Sequence, residues 1–534
     1  MSVKLTRRAV VQAQIESAYG VPETLGVDDG LLVAEPEYTI NPTTLERNIA
    51  TPDLSPEAVV LGRKLASMTF QTELRGNGKA TGNAADAPII ARLFRACGYS
   101  MTEVKSPEVH GPFQIGQHGT VVDWAVASGT AATAVLTFTA QPDDAATVEV
   151  AGKTYTFQMA LTNVAGNVLI GAALADTIQN LLNAINGAGM PGTAYAAATV
   201  KHALVSATAT ATALTVTAVS PGSAGNALTV ASSGTDAVWG ATTLAGGTNV
   251  ASNTDFIGYA IEVVTGGASG DAEVQVVVAA SPRQAAHTYG PFVVTSGQPV
   301  TVDNGLELTP TFTGDLVVGE RWSFWLLPIG LRLDPVSDNF ESVTLAMNKD
   351  GVLHTMPGAF GTFEITAEAG QYASINWTFT GTWVDPIDAP LAVPNYEKTL
   401  PAQVELARLR IDNFYAIVAK FTYDQANEIN VRPDVSSAEG YIGTRITSRA
   451  PKGGIDPEAD SVANHDFWGR LGAAKRMPFQ MRVGKNAGNI VWMVAPSTQY
   501  TGLTYQDRDG ILSYDAELKF SRYNGNDEFM LFFM

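Results

Sequence analysis

The chain has 534 residues, a length that suggests three or four domains at about 150 residues each. Its 33 Lys and Arg residues against 52 Asp and Glu residues give a formal net charge of −19. This charge argues against a protein that grips nucleic acid or an anionic membrane, because both tasks need clustered Lys and Arg. A hydrophobic fraction of 46% and 50 glycines among short β-like runs exclude global disorder and favour a β-rich, turn-rich protein.

Cysteine and histidine are scarce. Cys97 is the single cysteine, so an intramolecular disulfide and a cysteine-based zinc site are excluded. The N-terminus lacks the apolar core of a signal peptide, and no run approaches the roughly 18 apolar residues of a membrane span, so we expect a soluble chain made in a cytoplasm. No two histidines have metal-pair spacing; they are His110, His118, His202, His287, His354 and His465.

Three elements are predicted before residue 100. Residues 65–74 alternate between apolar and polar, which predicts a long half-buried strand. Residues 88–98 place their apolar side chains on one helical face and begin with Pro and end with Gly, which predicts an amphipathic helix that buries Cys97. The proline-containing residues 41–61 predict an irregular connection, either a disordered loop or an arm that lies on a neighbouring subunit.

Charge divides the rest of the chain. Residues 124–250 hold seven charged side chains in 127 residues, against 78 in the other 407, so they read as a unit inserted into a host domain. Their patterns predict a hairpin at Ala151-Gly152, a helix over 177–185 ending near Gly187, and one or two strands in 205–219, which is a small α+β module. Residues 253–331 predict a separate all-β module, with strands at 259–264 and 273–278 and turns at Gly266-Gly267 and Asn304-Gly305.

The host pattern resumes near residue 338. We expect strands at 341–347, 352–354, 362–367, 374–379, 479–483, 489–494 and 513–521. Three prolines exclude a central strand from residues 385–394. Asp456-Pro457-Glu458 has the cap and first-turn proline of a second helix. The apolar residues 529–534 predict a last strand docked in its own core or a segment that is covered only on assembly.

Motifs that could carry chemistry fail on inspection of their spacing. Arg75–Ala80 lacks the glycine and hydroxyl residue of a phosphate loop and predicts a hairpin turn. Gln506–Gly510 lacks the first and last ligands of a calcium loop and predicts a tight turn between strands. His465 beside Asp466 predicts a polar helix face or an interface rather than a catalytic pair, and Cys97 predicts a buried hydrophobe rather than a reactive thiol. We therefore assign no catalytic, cofactor-binding or metal-binding residues and expect no enzyme, although 52 acidic residues leave glycosidase carboxylate pairs open.

Several segments resemble tail tube proteins (major tail proteins) of long-tailed, non-contractile bacteriophages, the siphophages. The strand ending in Glu73-Leu-Arg-Gly-Asn-Gly78 and the helix of residues 87–99 are similar to the N-terminal half of that family. The resemblance covers residues 1–105 and about 335–534, and the low-charge unit is similar to a module that recurs in phage structural proteins. Further similar segments are residues 14–20, 335–345, 350–354, 357–362, 379–381, 432–434, 446–453 and 456–458.

The resemblance implies a mainly β fold, a β-sandwich core with a flanking helix, interrupted by an inserted small α+β module and an inserted all-β module. The implied domains are residues 1–125 and 333–534 for the tail-tube core, 126–250 for the α+β module and 251–332 for the all-β module. It implies no cofactor. The implied function is a structural virion protein whose self-assembled hexameric rings stack into the tail tube, a conduit for DNA ejection into the host.

The resemblance also implies the partners. They are identical rings, a tape measure protein, tail-end proteins and DNA that passes without specific binding, in a virion tail assembled in the bacterial cytoplasm. Acidic residues along the channel would repel DNA from the wall. The alternatives are a phage tip or fibre protein that binds host glycans, which needs exposed aromatic side chains on the inserted modules, and a secreted glycan-active enzyme. We also expect rings to survive deletion of residues 126–332.

Overall fold

The computed structural model describes the chain except residues 1–3, 6, 48, 51, 53, 56, 116–121, 128–129, 220–222, 248–254, 282–283, 303–305, 406 and 438. His118 and the predicted turn Asn304-Gly305 lie outside the described residues, as do four positions of the predicted irregular connection. Strands make up 50% of the chain and helices 7%, which confirms the mainly β class.

The elements follow one another in chain order. The first part has β1 (Ala9–Ile15), β2 (Gly30–Leu31), β3 (Ala34–Leu45), β4 (Val60–Glu73), α1 (Ile90–Ala96), β5 (Tyr99–Val104), β6 (Glu108–Ile115) and β7 (Val122–Ala127). The middle part has β8 (Thr133–Phe138), β9 (Thr147–Val150), β10 (Lys153–Gln158), β11 (Asn167–Leu169), α2 (Leu174–Asn186), β12 (Val205–Ala209), β13 (Ala213–Ala218), β14 (Val230–Ser232), β15 (Ala237–Trp239), β16 (Ile257–Thr265), β17 (Glu273–Val278), β18 (His287–Val293), β19 (Val300–Thr301), β20 (Glu307–Phe312) and β21 (Arg321–Leu327).

The last part returns to longer strands. It has β22 (Gly330–Pro335), β23 (Val343–Lys349), β24 (Val352–Glu368), β25 (Ser374–Thr382), β26 (Ile387–Asp388), β27 (Arg410–Ile411), β28 (Phe414–Tyr415), β29 (Val418–Asp424), β30 (Asn427–Pro433), β31 (Tyr441–Arg449), β32 (Lys452–Pro457), α3 (Phe467–Gly472), β33 (Met477–Val483), β34 (Val491–Arg508), β35 (Ile511–Phe520) and β36 (Met530–Phe533). Short 3-10 helices lie at Val27–Asp29, Ala84–Asp86 and Ser223–Ala227.

Eight strands form one continuous antiparallel run, which we call the long sheet. Its order is β3, β4, β25, β24, β29, β32, β35 and β34. The run joins chain segments from both sides of the inserted region, because β4 pairs with β25 along Glu73 to Leu65. Elsewhere β1 pairs with β23 and β5 pairs with β22, so the two flanking stretches share sheets throughout.

One face of the long sheet is apolar and carries α1. The alternation predicted for residues 65–74 is confirmed, with Met68 and Phe70 buried on this face. The predicted helix is confirmed as α1, and its Phe94 ring meets Phe363 and Trp377 edge-on at centroid distances of 4.9 Å. Cys97 follows α1 inside this core, and burial raises the pKa of its thiol.

The C-terminal strand belongs to the same body. β36 pairs with β22 and with β34, and its residues are buried. The prediction of a last strand docked in its own core is therefore confirmed.

The low-charge region folds around its own apolar cluster. The predicted hairpin is confirmed as β9 and β10, and the predicted helix as α2, which Gly187 ends in the left-handed conformation with φ +62°. β12 and β13 account for the predicted strands. Sheets β12–β13–β8–β15 and β11–β10–β9–β14 pack with α2 around residues such as Leu136, Phe157 and Ile178.

Strands on both sides of the low-charge region build the all-β body. β6 pairs with β21, and β7 pairs with β20, in sheets that also contain β16, β17 and β18. These two strands thus pair outside the core stretch of residues 1–125 to which the sequence assigned them. The low-charge unit sits between β7 and β16, so one insertion is nested inside the other.

An apolar cluster joins the all-β body to the host, and we call it the shared cluster. Phe256 stacks on Trp492 with 4.3 Å between ring centroids and 16° between ring planes. Trp325 donates its indole N–H to Gln480 Oε1 at 2.9 Å within this contact. Deletion of residues 126–332 would remove Phe256 and Trp325 and uncover buried host side chains such as Trp492, which argues against the expectation that rings survive it. The cluster also contains Val104, Phe113, Leu327, Ile490, Val494, Met530 and Phe532.

Four local predictions were wrong. Asp456-Pro457 lies in and at the end of β32, held between β29 and β35, and the helix begins ten residues later at Phe467 behind the Asp466 cap. Residues 352–354 and 362–367 were predicted as two strands but belong to one, β24. Its first part pairs with β23 and its second part with β25. Residues 41–45 and 60–61 extend β3 and β4, which shortens the irregular connection to 46–59. Residues 75–80 lead towards α1, so they are not a hairpin turn.

Candidate assembly and channel surfaces

The face of the long sheet opposite its core is polar, and we call it the polar face. It follows from the strand period of two: Phe363 and Ile365 point inward while Glu364 points outward. Gln71 donates to Asn376 across neighbouring strands at 3.0 Å. Farther along, Asp424, Lys452 and Lys519 are register partners on successive strands.

Carboxylates outnumber ammonium groups on the polar face. Lys420 pairs with Glu368 at 2.8 Å and Lys452 with Asp424 at 3.6 Å, which leaves other carboxylates without a lysine partner among the ion pairs of the described residues. Between β4 and β35 the face also carries Ser, Thr, Asn and Gln side chains, such as Thr69, Asn376 and Thr378. Its acidic members there include Glu73, Glu364, Glu368, Asp424, Asp515 and Glu517, against Lys420, Lys452 and Lys519.

Both ends of the long sheet are open. In the described residues β3 pairs with β4 alone, and the part of β34 from Gln499 to Arg508 pairs with β35 alone. The side chains of these strands are largely exposed, including Ile40 at 39% and Tyr505 at 61%. Unpaired backbone groups along an exposed strand are a template for another strand.

Residues 46–59 join β3 to β4, and we call them the first arm. Apolar side chains on it face solvent: Ile49 is 52% exposed, Val59 52%, and Leu54 fully exposed. Grouped apolar side chains that face solvent mark contact sites, so the first arm is a candidate contact surface.

A buried charge cluster ties the all-β body to the host beside the shared cluster. Asp412 is 1% exposed, forms an ion pair with Arg321 of β21 at 2.6 Å and accepts a hydrogen bond from Arg470 of α3 at 2.6 Å, with Lys475 Nζ at 3.7 Å. Burial would raise the pKa of Asp412, but the attraction of the three cations outweighs it and lowers the pKa below 3.8. Sequence reasoning missed this cluster because its members are far apart in the chain.

A cavity of about 670 Å³ opens beside this cluster and includes His465. His465 is buried, contacts Tyr500 Oη through Nε2 at 3.1 Å, and stacks on Phe414 at 4.4 Å. Burial, with the nearby Arg470, lowers the pKa of His465 to about 4, so the imidazole is neutral at pH 7. The prediction of a polar helix face for His465 was wrong.

The glycine-rich residues 75–80 have a packing role. Arg75 is buried and donates to Thr399 O at 2.6 Å, and Gly78 N–H donates to Gly488 O at 3.0 Å. A Cβ on Gly76 would lie 2.0 Å from Gly488 O, so these two loops need glycine to pass each other. Gln506–Gly510, the other motif, contains the tight turn between β34 and β35, as predicted.

The aromatic residues of the low-charge region are buried. Trp124 belongs to the core of the all-β body, and Tyr155, Phe157, Tyr195 and Trp239 lie in the core of the low-charge unit. These aromatic side chains are therefore not available on the low-charge region to form a glycan-binding surface of exposed rings. Among the described residues, no three His, Cys, Asp or Glu side chains gather as a possible metal site.

Comparisons of the sequence with protein-family models and with curated proteins gave no match. Within the described part of the chain, no helix is both long and apolar enough to cross a bilayer.

Proposed function

We propose that this chain is the tail tube protein of a long-tailed, non-contractile bacteriophage. In this proposal the core is the family's β-sandwich with a flanking helix, identical copies close into rings, and stacked rings form the conduit for DNA. The resemblance further implies a tape measure protein inside the tube and tail-end proteins at its ends.

The observation that carries the proposal is the long sheet: a polar face, a buried opposite face and open edges at both ends. A sheet of this kind completes its backbone hydrogen bonds when copies join edge to edge. Closing such copies around an axis gives a barrel whose inner wall is one face of the sheet.

The polar face suits the wall of a DNA channel. Lys and Arg bind phosphates and slow DNA, whereas excess carboxylates repel the backbone. The register places Phe360 on the part of this face between β4 and β35, but its ring is buried and so is not open to stack on a base. In this proposal the low-charge unit and the all-β body lie on the outside of the ring, because the bore must stay open for DNA.

Electron microscopy of the purified full-length chain tests the proposal. We expect rings or tubes with an open bore. A chain that stays monomeric at every concentration, or that forms solid fibres, would refute it.

The channel assignment has its own test in assembled tubes. Glu364→Lys with Glu517→Lys should make tubes bind double-stranded DNA, with an affinity that falls steeply as salt rises. Glu307→Lys, an exposed carboxylate on β20, is the matched control and should leave binding at the wild-type level because it lies on the all-β body. Equal DNA binding by both variants would place the polar face away from the bore.

A further inference from the structure

The long sheet contains the same arrangement twice. Its first four strands are β3, β4, β25 and β24, and its last four are β29, β32, β35 and β34. In each set the first two strands come first in the chain, a helix follows (α1 or α3), and a long hairpin then fills the third and fourth places in reverse order. We call these sets the first unit and the second unit.

Details of the two units agree. The fourth strands, β24 and β34, have 17 and 18 residues and change partners midway. The first part of β24 pairs with β23 and its second part with β25, while the first part of β34 pairs with β33 and its second part with β35. In both units a long connection joins the first two strands, as the first arm (46–59) or as the hairpin β30–β31.

The units meet inside one chain through an edge-to-edge junction. β24, the outer strand of the first unit, pairs antiparallel with β29, the leading strand of the second. Ile365 lies opposite Tyr423 and Ala367 opposite Phe421, so the apolar rows run on without a break. The equivalent outer strand of the second unit, β34, and the equivalent leading strand of the first, β3, are the two open edges.

We propose that neighbouring copies join by pairing the open edge of β34 in one copy with β3 of the next, antiparallel, as β24 pairs with β29. This inference rests on the proposed function and specifies its interface. Each chain then supplies two units to the ring. A six-unit ring therefore consists of three chains, in place of the six chains that the resemblance implies.

The hairpin β30–β31, which we call the second arm, indicates where the first arm lies in the ring. β30–β31 returns over the first unit of its own chain, where Tyr441 Oη donates to Lys64 O at 2.6 Å and Asn427 Nδ2 donates to Cys97 O at 2.7 Å, at the end of α1. The first arm holds the equivalent place between the first two strands of its own unit. In the ring it lies on the second unit of the adjacent copy, at the end of α3, and its exposed Ile49 and Leu54 become buried there.

The number of chains in a ring tests the inference. Rings released from purified tubes should have a mass of about 169 kDa by native mass spectrometry, three times the 56.3 kDa of one chain. Averaged electron micrographs should show three-fold symmetry with six similar inner units. Six chains, about 338 kDa, would overturn this inference and leave the tube function standing. A chain that never forms rings would overturn both.

Edge variants test the interface itself. Ile40→Lys on β3 and Tyr505→Lys on β34 place a charge on an open edge, so each should abolish ring formation while the monomer keeps the wild-type circular dichroism spectrum. Val238→Lys on β15, where Val238 is 48% exposed, is the matched control and should assemble normally. Rings of normal yield from both edge variants would overturn the proposed pairing.

Discussion

The buried carboxylate Asp412 gives the sharpest stability prediction. Its replacement in Asp412→Asn leaves two guanidinium groups, from Arg321 and Arg470, facing a neutral amide at a site that is 1% exposed. Removing one partner of a buried ion pair costs about 3–5 kcal/mol. Asparagine tolerates the left-handed backbone of this position, φ +55°, so the loss reports the charge and adds no backbone strain.

Urea unfolding followed by tryptophan fluorescence measures this loss. Glu368→Gln is the matched control, since its pair with Lys420 has similar length, 2.8 Å, but both side chains are about half exposed. Such a surface pair contributes about 0–1 kcal/mol. Equal losses of unfolding free energy in the two variants would refute the reasoning that burial gives the Asp412 cluster its strength.

The pH dependence has a defined sign. Because the folded pKa of Asp412 is depressed, its contribution is present above the unfolded value of 3.8 and is lost as pH falls through the folded pKa. Below pH 3.8 the wild type should therefore lose its advantage over Asp412→Asn. An advantage that stays constant down to pH 2 would contradict this assignment.

Three more predictions follow from the architecture. Replacing residues 130–247 by a short linker should preserve a folded chain, because Thr133 and Ala245 pair where the chain enters and leaves this unit. Deletion of residues 126–332 should instead give aggregates, and gel filtration distinguishes the two outcomes. Trp492→Ala should lower the unfolding free energy by about 3–5 kcal/mol, against less than about 1 kcal/mol for the 40% exposed Trp468→Ala in the same urea assay. The wild type should lose stability as pH falls from 6.5 towards 4, because the pKa of His465 is lowered to about 4, and His465→Gln should flatten that slope; an unchanged slope would contradict it.

The sequence correctly predicted those elements in which the local secondary-structure signal agrees with the tertiary packing. Residues 65–74 and the α1 segment have one periodicity and one buried face, so sequence and structure coincide. Asp456-Pro457 has local helix-start signals, but pairing of β32 on both sides outweighs them. The sequence predicts two strands at 352–354 and 362–367, whereas β24 spans both and changes partner from β23 to β25 just after Pro357-Gly358.

The polar face and the open edges could not be predicted from the sequence. Alternation gives each strand two faces, but only the order of strands shows that the carboxylates share one face of the sheet. The two-unit organisation is hidden as well, because residues 105–329 interrupt the first unit and leave the second uninterrupted. The Asp412 cluster needs three distant segments to meet, a property that periodicity does not encode.

A reconstruction of the assembled full-length chain by electron cryomicroscopy tests the central claim most directly. The account predicts a hollow tube whose bore is lined by Glu364 and Glu517, with β34 of each copy hydrogen-bonded to β3 of the next. An assembly without a bore, or one whose polar face meets the outer solvent, would contradict it.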